Sequence, residues 1–268
     1  MLKKFLSFSL ALTLIIFIPT LASASIETDT LREDCRQLSR IPHNFILLAR
    51  SPLDWEQKDW LKAGGIAGTT ILLMAFDSAI QDFTQDRKTS DTQTLSRLVK
   101  PFGEGTTTLP LLGGLYIYGL LEQDEKARET ALLATQSFFV AGFLSELIKT
   151  TFQRHRPSSG SPPLTFDGPG WPRENQSFAS GHACVAFAVA TIVGEKYSHN
   201  PLVRSTAYTL AGLTALSRVH DNDHWFSDAF FGSALGFFTA RGIMSLNQGN
   251  NQLELSLTPR GLQISLSF

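Results

Sequence analysis

The sequence has no surplus of charge of either sign. Lys and Arg total 23 against 24 Asp and Glu in 268 residues, a formal net charge of −1. Without excess cation the chain cannot neutralise a run of backbone phosphates, which excludes a polycationic nucleic-acid binder. Cysteine is nearly absent. Cys35 and Cys184 are too few for a disulfide-stapled scaffold or a cysteine-rich zinc module. Their pairing is open from sequence, although Cys184 lies in an apolar stretch and reads as a buried thiol. Disorder is excluded as well, because 43% of residues are hydrophobic and 18% charged.

Apolar runs long enough for clean membrane spans are also scarce. The charge-free stretches 105–121, 130–145, 63–76 and 205–217 all fall short of the about 20 residues that a span needs. Their lengths favour core helices of an extracytoplasmic bundle, at most loosely attached to lipid, over six full spans, with short spans or interfacial helices of an integral membrane protein as the alternative. The N-terminus is a separate matter. Lys3 and Lys4 precede an apolar run to Leu21, and Ala22-Ser23-Ala24 supplies small residues for cleavage. This is the layout of a secretory signal peptide, so the chain is expected to be exported and to work at the periplasm or the periplasmic face of the envelope.

What remains is rich in Ala, Leu, Phe and Gly. After a polar lead-in from Glu27 to Arg40, six segments have helical apolar content: 57–82, 106–122, 127–150, 180–198, 202–218 and 226–246. Between the third and fourth, residues 156–178 contain five prolines (Pro157, Pro162, Pro163, Pro169 and Pro172), so this stretch is a long loop. Long loops in compact domains are often functional. At the C-terminus, Leu253, Leu255 and Leu257 alternate with polar residues. Pro259-Arg260-Gly261 turns the chain, and Leu262, Ile264, Leu266 and Phe268 alternate again. That pattern predicts a β-hairpin with one apolar face.

Polar residues gather at the ends of these helices. Lys149 and Arg156-Pro157 close the third segment, Ser180-Gly181-His182 opens the fourth, and Ser217-Arg218, His224 and Asp228 join the fifth to the sixth. Together they suit a tetrahedral oxyanion. Lys149, Arg156 and Arg218 supply charge and directed N–H donors. Ser180 and Gly181 lie at a helix start, where free amides and the dipole favour an anion. His224 and Asp228 are four apart and would share a helix face, the carboxylate holding one ring nitrogen while the other attacks. His182 is a second imidazole, suited to protonating a leaving alkoxide. Each piece alone is also an ordinary helix end, cap or surface pair. A metal site at His220, Asp223 and His224 does not match an established ligand spacing.

Taken in order, Lys-x6-Arg-Pro, Ser-Gly-His and Ser-Arg-x5-His-x3-Asp resemble the signature of the type 2 phosphatidic acid phosphatase and vanadium haloperoxidase superfamily, here as an exported bacterial member. Ala179 departs from the family's usual Pro. The resemblance implies an all-α fold, a six-helix core bundle over 57–246, between the lead-in 25–56 and the hairpin tail 247–268. It implies a phosphatase acting on phosphomonoesters or diphosphates, with envelope lipid phosphates as the expected partners and the membrane surface as the setting. His224 would be the nucleophile that becomes phosphohistidine, Asp228 its orienting group and His182 the acid. Lys149, Arg156, Ser180, Gly181 and Arg218 would hold phosphate, with no metal or cofactor. A vanadate-dependent haloperoxidase is the alternative within the superfamily, although the chain is short for one. A non-catalytic lipid-binding protein would need a broken site, and none of the eight positions is lost.

Overall fold

The computed structural model describes residues 28–170, 176–250, 254–258 and 261–265. The expected signal peptide lies outside them. Among the described residues the chain folds as ten α-helices and one two-stranded ladder: α1 Thr28–Ser39, α2 Ile41–Arg50, α3 Gln57–Met74, α4 Asp77–Asp86, α5 Ser90–Val99, α6 Gly105–Leu121, α7 Glu125–Phe152, α8 Gly181–Lys196, α9 Pro201–His220 and α10 Phe226–Asn250, then β1 Glu254–Thr258 and β2 Gly261–Ser265. The two strands pair antiparallel, with Leu255 opposite Ile264. The side chains of this ladder, and so the seat of its apolar face, are outside the described residues.

Local chemistry explains where the helices begin. Asp124 accepts from Ala127 N at 3.0 Å to start α7. Asn200 accepts from Leu202 N and Val203 N ahead of Pro201 to start α9. Thr89 and Thr92 form a reciprocal capping box on α5. Three parts of the chain differ from the sequence expectation. The supposed polar lead-in is helical: α1 and α2 pack on α7, with Asn44 donating to Gln136 at 2.9 Å and Phe45 edge-on to Phe143. Its polar residues lie on the face that covers other polar residues, a pairing that periodicity cannot see. The segment 57–82 is two helices, α3 and α4, bent by 59° at Ala75-Phe76. Residues 90–99, not among the six expected segments, form α5.

Helix α8 is the centre of the molecule, packed by α7, α9 and α10. Its inward residues are mostly alanine, with Cys184, Ala188 and Ile192 joining Leu133, Val140 and Ile243 in the main core. Cys35 and Cys184 are not bonded to each other, and Cys184 is buried. Small residues let α8 and α10 approach closely. A Cβ on Gly236 would stand 1.9 Å from Cys184 O, and one on Gly232 2.5 Å from Ser180 O. Gly232 and Gly236 form a small-xxx-small seam of the kind that joins helices in a bilayer.

Several large apolar side chains stand on the outside of the helices. Trp60, Leu61, Ile71 and Leu72 on α3 and Leu111 on α6 are more than half exposed. Helices α7 and residues Phe226–Gln248 of α10 are long and apolar enough to cross a membrane, and the bent α3–α4 pair passes the same test jointly. By length and composition these helices meet the requirement for a span that the charge-free stretches of the sequence fall short of. The sequence count stopped at every charged residue, whereas a span tolerates an ionic group near its ends that the bundle partners.

The α8–α10 seam makes a testable contrast. Gly236→Ala should lower stability by about 1–3 kcal/mol, because the added carbon overpacks a backbone contact. Gly212→Ala on α9, where nothing lies within 4 Å of the added carbon, should be neutral or stabilising by about 0.5–1 kcal/mol. Denaturation midpoints in detergent would check both.

Candidate functional site

The three helix ends identified in the sequence meet in space. Helix α7 closes at Gln153, which adopts a left-handed conformation (φ 43°, ψ 54°) and donates its N–H to Lys149 O. The chain then turns into extended backbone, where Arg154 bridges Phe166 and accepts at its carbonyl from Ser177 N at 2.9 Å. This brings the far end of the long loop back beside Lys149 and Arg156. Ser180 N donates to Asp228 O at 3.1 Å, which sets the start of α8 against the start of α10. A Cβ on Gly181 would lie 3.1 Å from Lys149 Nζ, so the lysine ammonium sits over the first turn of α8. At the end of α9 the Arg218 carbonyl accepts from both Asp223 N and His224 N, through a turn in which Asn222 has φ 64°. Arg218 and His224 are thereby fixed to each other by backbone.

His224 is buried, and its Nδ1 lies 2.7 Å from Ser177 O. A carbonyl oxygen only accepts, so Nδ1 carries the hydrogen and the neutral ring keeps its lone pair on Nε2. Burial pushes the ring's pKa well below 6.5, and the charges of Lys149, Arg156 and Arg218 add to that, against the Ser177 hydrogen bond. His224 is therefore neutral near pH 7. Around it several buried donors have no hydrogen-bond partner: Ser180 Oγ, Arg156 Nε, and Arg218 Nε and Nη1. Buried donors without acceptors are costly, and three of these belong to guanidinium groups. Their chemistry matches an oxyanion.

One sequence expectation fails here. Helix α10 begins at Phe226, so His224 stands in the turn before it and shares no helix face with Asp228. No hydrogen bond joins the two among the described residues. Asp228 instead accepts from Trp225 N at 2.9 Å, as the third residue of a helix does for its cap, and from Ser177 Oγ at 2.5 Å. Its grip on His224 runs through Ser177, whose hydroxyl donates to the carboxylate and whose carbonyl receives the ring N–H.

Arg154 and Asp77 went unassigned in the sequence. Arg154 is fully buried. Its Nη1 lies 2.5 Å from Asp228 Oδ1, its Nη2 2.7 Å from Asp77 Oδ2, and its Nε donates to Pro163 O at 2.7 Å. Ser227 receives from Arg154 and donates to Asp77 through its hydroxyl and its N–H. Arg154 sits between two recognised motif residues, Lys149 and Arg156, and its charge two positions before Arg156 was the available signal. Asp77 had none, being distant in sequence. Carboxylates also surround the cations that face the site. Asp223 pairs with Arg218 and, at 3.5 Å, with Arg156. Glu104 Oε1 lies 3.4 Å from His182 Nε2.

Converging helix ends, buried cations, unpaired donors and a neutral buried imidazole together form a site whose chemistry suits an oxyanion. Residues 130–252, somewhat under half of the chain, match the PAP2 superfamily. A 61-residue stretch, 22% of this chain, is 43% identical to a lipid A 1-phosphatase of Porphyromonas gingivalis, of which it covers 14%. Among solved structures, the transmembrane PAP2 type phosphatidylglycerolphosphate phosphatase of Bacillus subtilis aligns with a TM-score of 0.52. That alignment has 21% identity over 69% of this chain and 95% of that one, a likeness of fold. LpxE of Aquifex aeolicus aligns with a TM-score of 0.49 and 21% identity, over 63% and 93% of the two chains.

The buried ion cluster can be tested directly. Arg154→Met leaves the Asp77 and Asp228 carboxylates buried without their shared cation, and should cost about 3–5 kcal/mol of stability. Removing the second partner as well, in Arg154→Met/Asp77→Leu, should recover part of that loss in the same denaturation measurement.

Proposed function

We propose that this protein is an exported phosphatase that hydrolyses lipid phosphomonoesters or diphosphates at a membrane face, without a metal, through a phosphohistidine at His224. The observation that carries the reading is the state of His224. It is neutral, its tautomer is set by Ser177 O, and the charges that act on it come from Lys149, Arg156 and Arg218, the last two of which keep unpartnered donors.

In this mechanism Arg156, Arg218 and Lys149 neutralise the phosphoryl oxygens, and the Ser180 hydroxyl with the first amides of α8 holds the oxygen where charge develops. Nε2 of His224 forms the P–N bond while the bond to the leaving oxygen breaks, and His182 protonates that oxygen. Water then attacks phosphorus, the P–N bond breaks, and the proton from water returns to His182. Asp228 keeps the nucleophile in register through Ser177. With α3 and α4 counted as one bent element, α3–α4, α6, α7, α8, α9 and α10 supply the six-helix core that the superfamily resemblance implies. Support for a lipid substrate comes from the exposed apolar helices beside the site and from the name of the P. gingivalis relative. The pattern of residues 1–24 supports export.

A phosphate-release panel on the purified full chain tests this reading, comparing phosphatidic acid, phosphatidylglycerol phosphate, undecaprenyl diphosphate, lipid A and soluble esters. Turnover should favour the lipid phosphates and persist in a chelator. In His224→Ala it should fall by at least about 10³-fold. Near-normal turnover in that variant would reject the mechanism. The pH profile adds a second check. Because His224 must be deprotonated to attack and its pKa is depressed, the acid limb of kcat/KM should fall below pH 6.5. Lys149→Met removes one depressing charge, so the limb should move to higher pH.

A further inference from the structure

The three motifs do not contain every group that faces the reacting centre. Glu104 lies 78 residues before His182 and outside the family-matched segment 130–252. It stands between the 3-10 turn Lys100–Gly103 and α6, in extended conformation (φ −114°, ψ 137°), and its side chain makes no helix-capping bond. Its carboxylate is therefore not committed to the local backbone. The turn that carries it is held firmly. Glu104 N donates to Pro101 O, Thr108 Oγ1 to Phe102 O and Thr214 Oγ1 to Val99 O, all at about 3 Å. The turn also presses on His182 itself, since a Cβ on Gly103 would stand 2.8 Å from His182 Cβ and 2.9 Å from its carbonyl oxygen. Only glycine allows this approach, and it places Glu104 Oε1 3.4 Å from Nε2 of the ring.

We propose that Glu104 is the proton-relay partner of His182, holding the ring through Nε2–H so that the opposite nitrogen delivers the proton to the leaving oxygen. The proposal rests on the phosphatase reading above and adds to it a positioning residue that lies outside the motifs. The electrostatics around the ring give the carboxylate a task. Arg218 from α9 and Lys100 from the same turn both disfavour an imidazolium, and Lys149 of α7 lies beside the neighbouring Gly181. Burial acts in the same direction, and together these hold the ring down at about 4 while Glu104 opposes them. An acid for a leaving alkoxide must carry its proton near neutral pH. Substrate phosphate and Glu104 are the anions that can restore that proton. In the first half-reaction the imidazolium gives a proton to the leaving oxygen and becomes a neutral ring, still donating Nε2–H to Glu104. In the second, the neutral nitrogen takes the proton from the attacking water and the imidazolium re-forms. Both side chains are partly exposed, which leaves a route for the departing alcohol.

The test uses the full chain in detergent with two substrates, p-nitrophenyl phosphate and an alkyl phosphate monoester. Nitrophenolate leaves without a proton, whereas an alkoxide does not. Glu104→Gln should lower kcat on the alkyl ester by about 10²-fold and on p-nitrophenyl phosphate only a few-fold. The basic limb of kcat should move to lower pH, because the group that favours the imidazolium is gone. Glu104→Asp should recover much of the alkyl-ester activity. Equal losses on both esters with an unmoved basic limb would make Glu104 merely structural and overturn the relay. So would unchanged turnover on the alkyl ester. If wild-type protein cleaves neither ester nor any lipid phosphate, the phosphatase reading fails first. If wild type is active and His224→Ala is dead while Glu104→Gln behaves as wild type, only the relay falls.

Discussion

One guanidinium, that of Arg154, ties the scaffold to the site. It is buried in full and joined to Asp77 of α4, to Asp228 and Ser227 of α10 and to the carbonyl of Pro163 in the long loop. Charges taken out of water are tolerated only when each is paired and hydrogen-bonded, so this cluster admits few alternative arrangements. Three segments far apart in sequence must therefore meet at fixed distances. His224 inherits that constraint: Arg154 holds Asp228, Asp228 holds the Ser177 hydroxyl, and the Ser177 carbonyl holds the Nδ1 hydrogen of His224. A nearby backbone bond, Ser177 N to Arg154 O, closes the circuit.

The same economy of space governs the helices that carry the unpartnered donors. Gly232 and Gly236 let α10 lie almost against the backbone of α8, and Ser180 N bonds Asp228 O at the end of that seam. Close packing thus sets the height at which the Ser180 hydroxyl and the first amides of α8 stand relative to His224. Helix α4 contributes from the other side. Gln85 donates to the carbonyl of His220 at the end of α9, which steadies the turn bearing Arg218 and His224. Apolar side chains that would be a liability in water cover the outside of α3 and α6, and in a bilayer they need no partner.

Electrostatically the site is a balance, not a simple cationic bowl. Asp221 and Asp223 lie on Arg218, Asp223 also approaches Arg156, Glu146 lies 3.6 Å from Lys149, and Glu104 faces His182. Each carboxylate uses part of a cation's donor capacity and orients what remains. Donors on Arg156, Arg218 and Ser180 are left over without a hydrogen-bond partner.

Much of this was legible in the sequence. The helical segments from 106 to 246 and the clustering of polar residues at their ends follow from short-range rules, because helix periodicity, caps and proline breaks act within a few residues. Lys149, Arg156, Ser180, Arg218 and His224 could be named together because their motifs lie at helix ends and hold ordered spacings. The bend between α3 and α4, the helical lead-in and the pairing of Asn44 with Gln136 could not, because they answer to distant partners. That α7 and α10 are long and apolar enough to span was missed for a related reason: whether a helix with charged ends can span depends on what its neighbours neutralise. Tertiary structure alone decided what holds His224. Sequence spacing suggested Asp228, four residues on, but α10 starts two residues after His224, and the ring turns to a backbone carbonyl. It also brought in Arg154, Asp77 and Glu104, whose roles arise only where segments meet. Local spacing fixes which side chains share a helix end, whereas long-range packing and the cost of unpaired buried charge fix which of them touch.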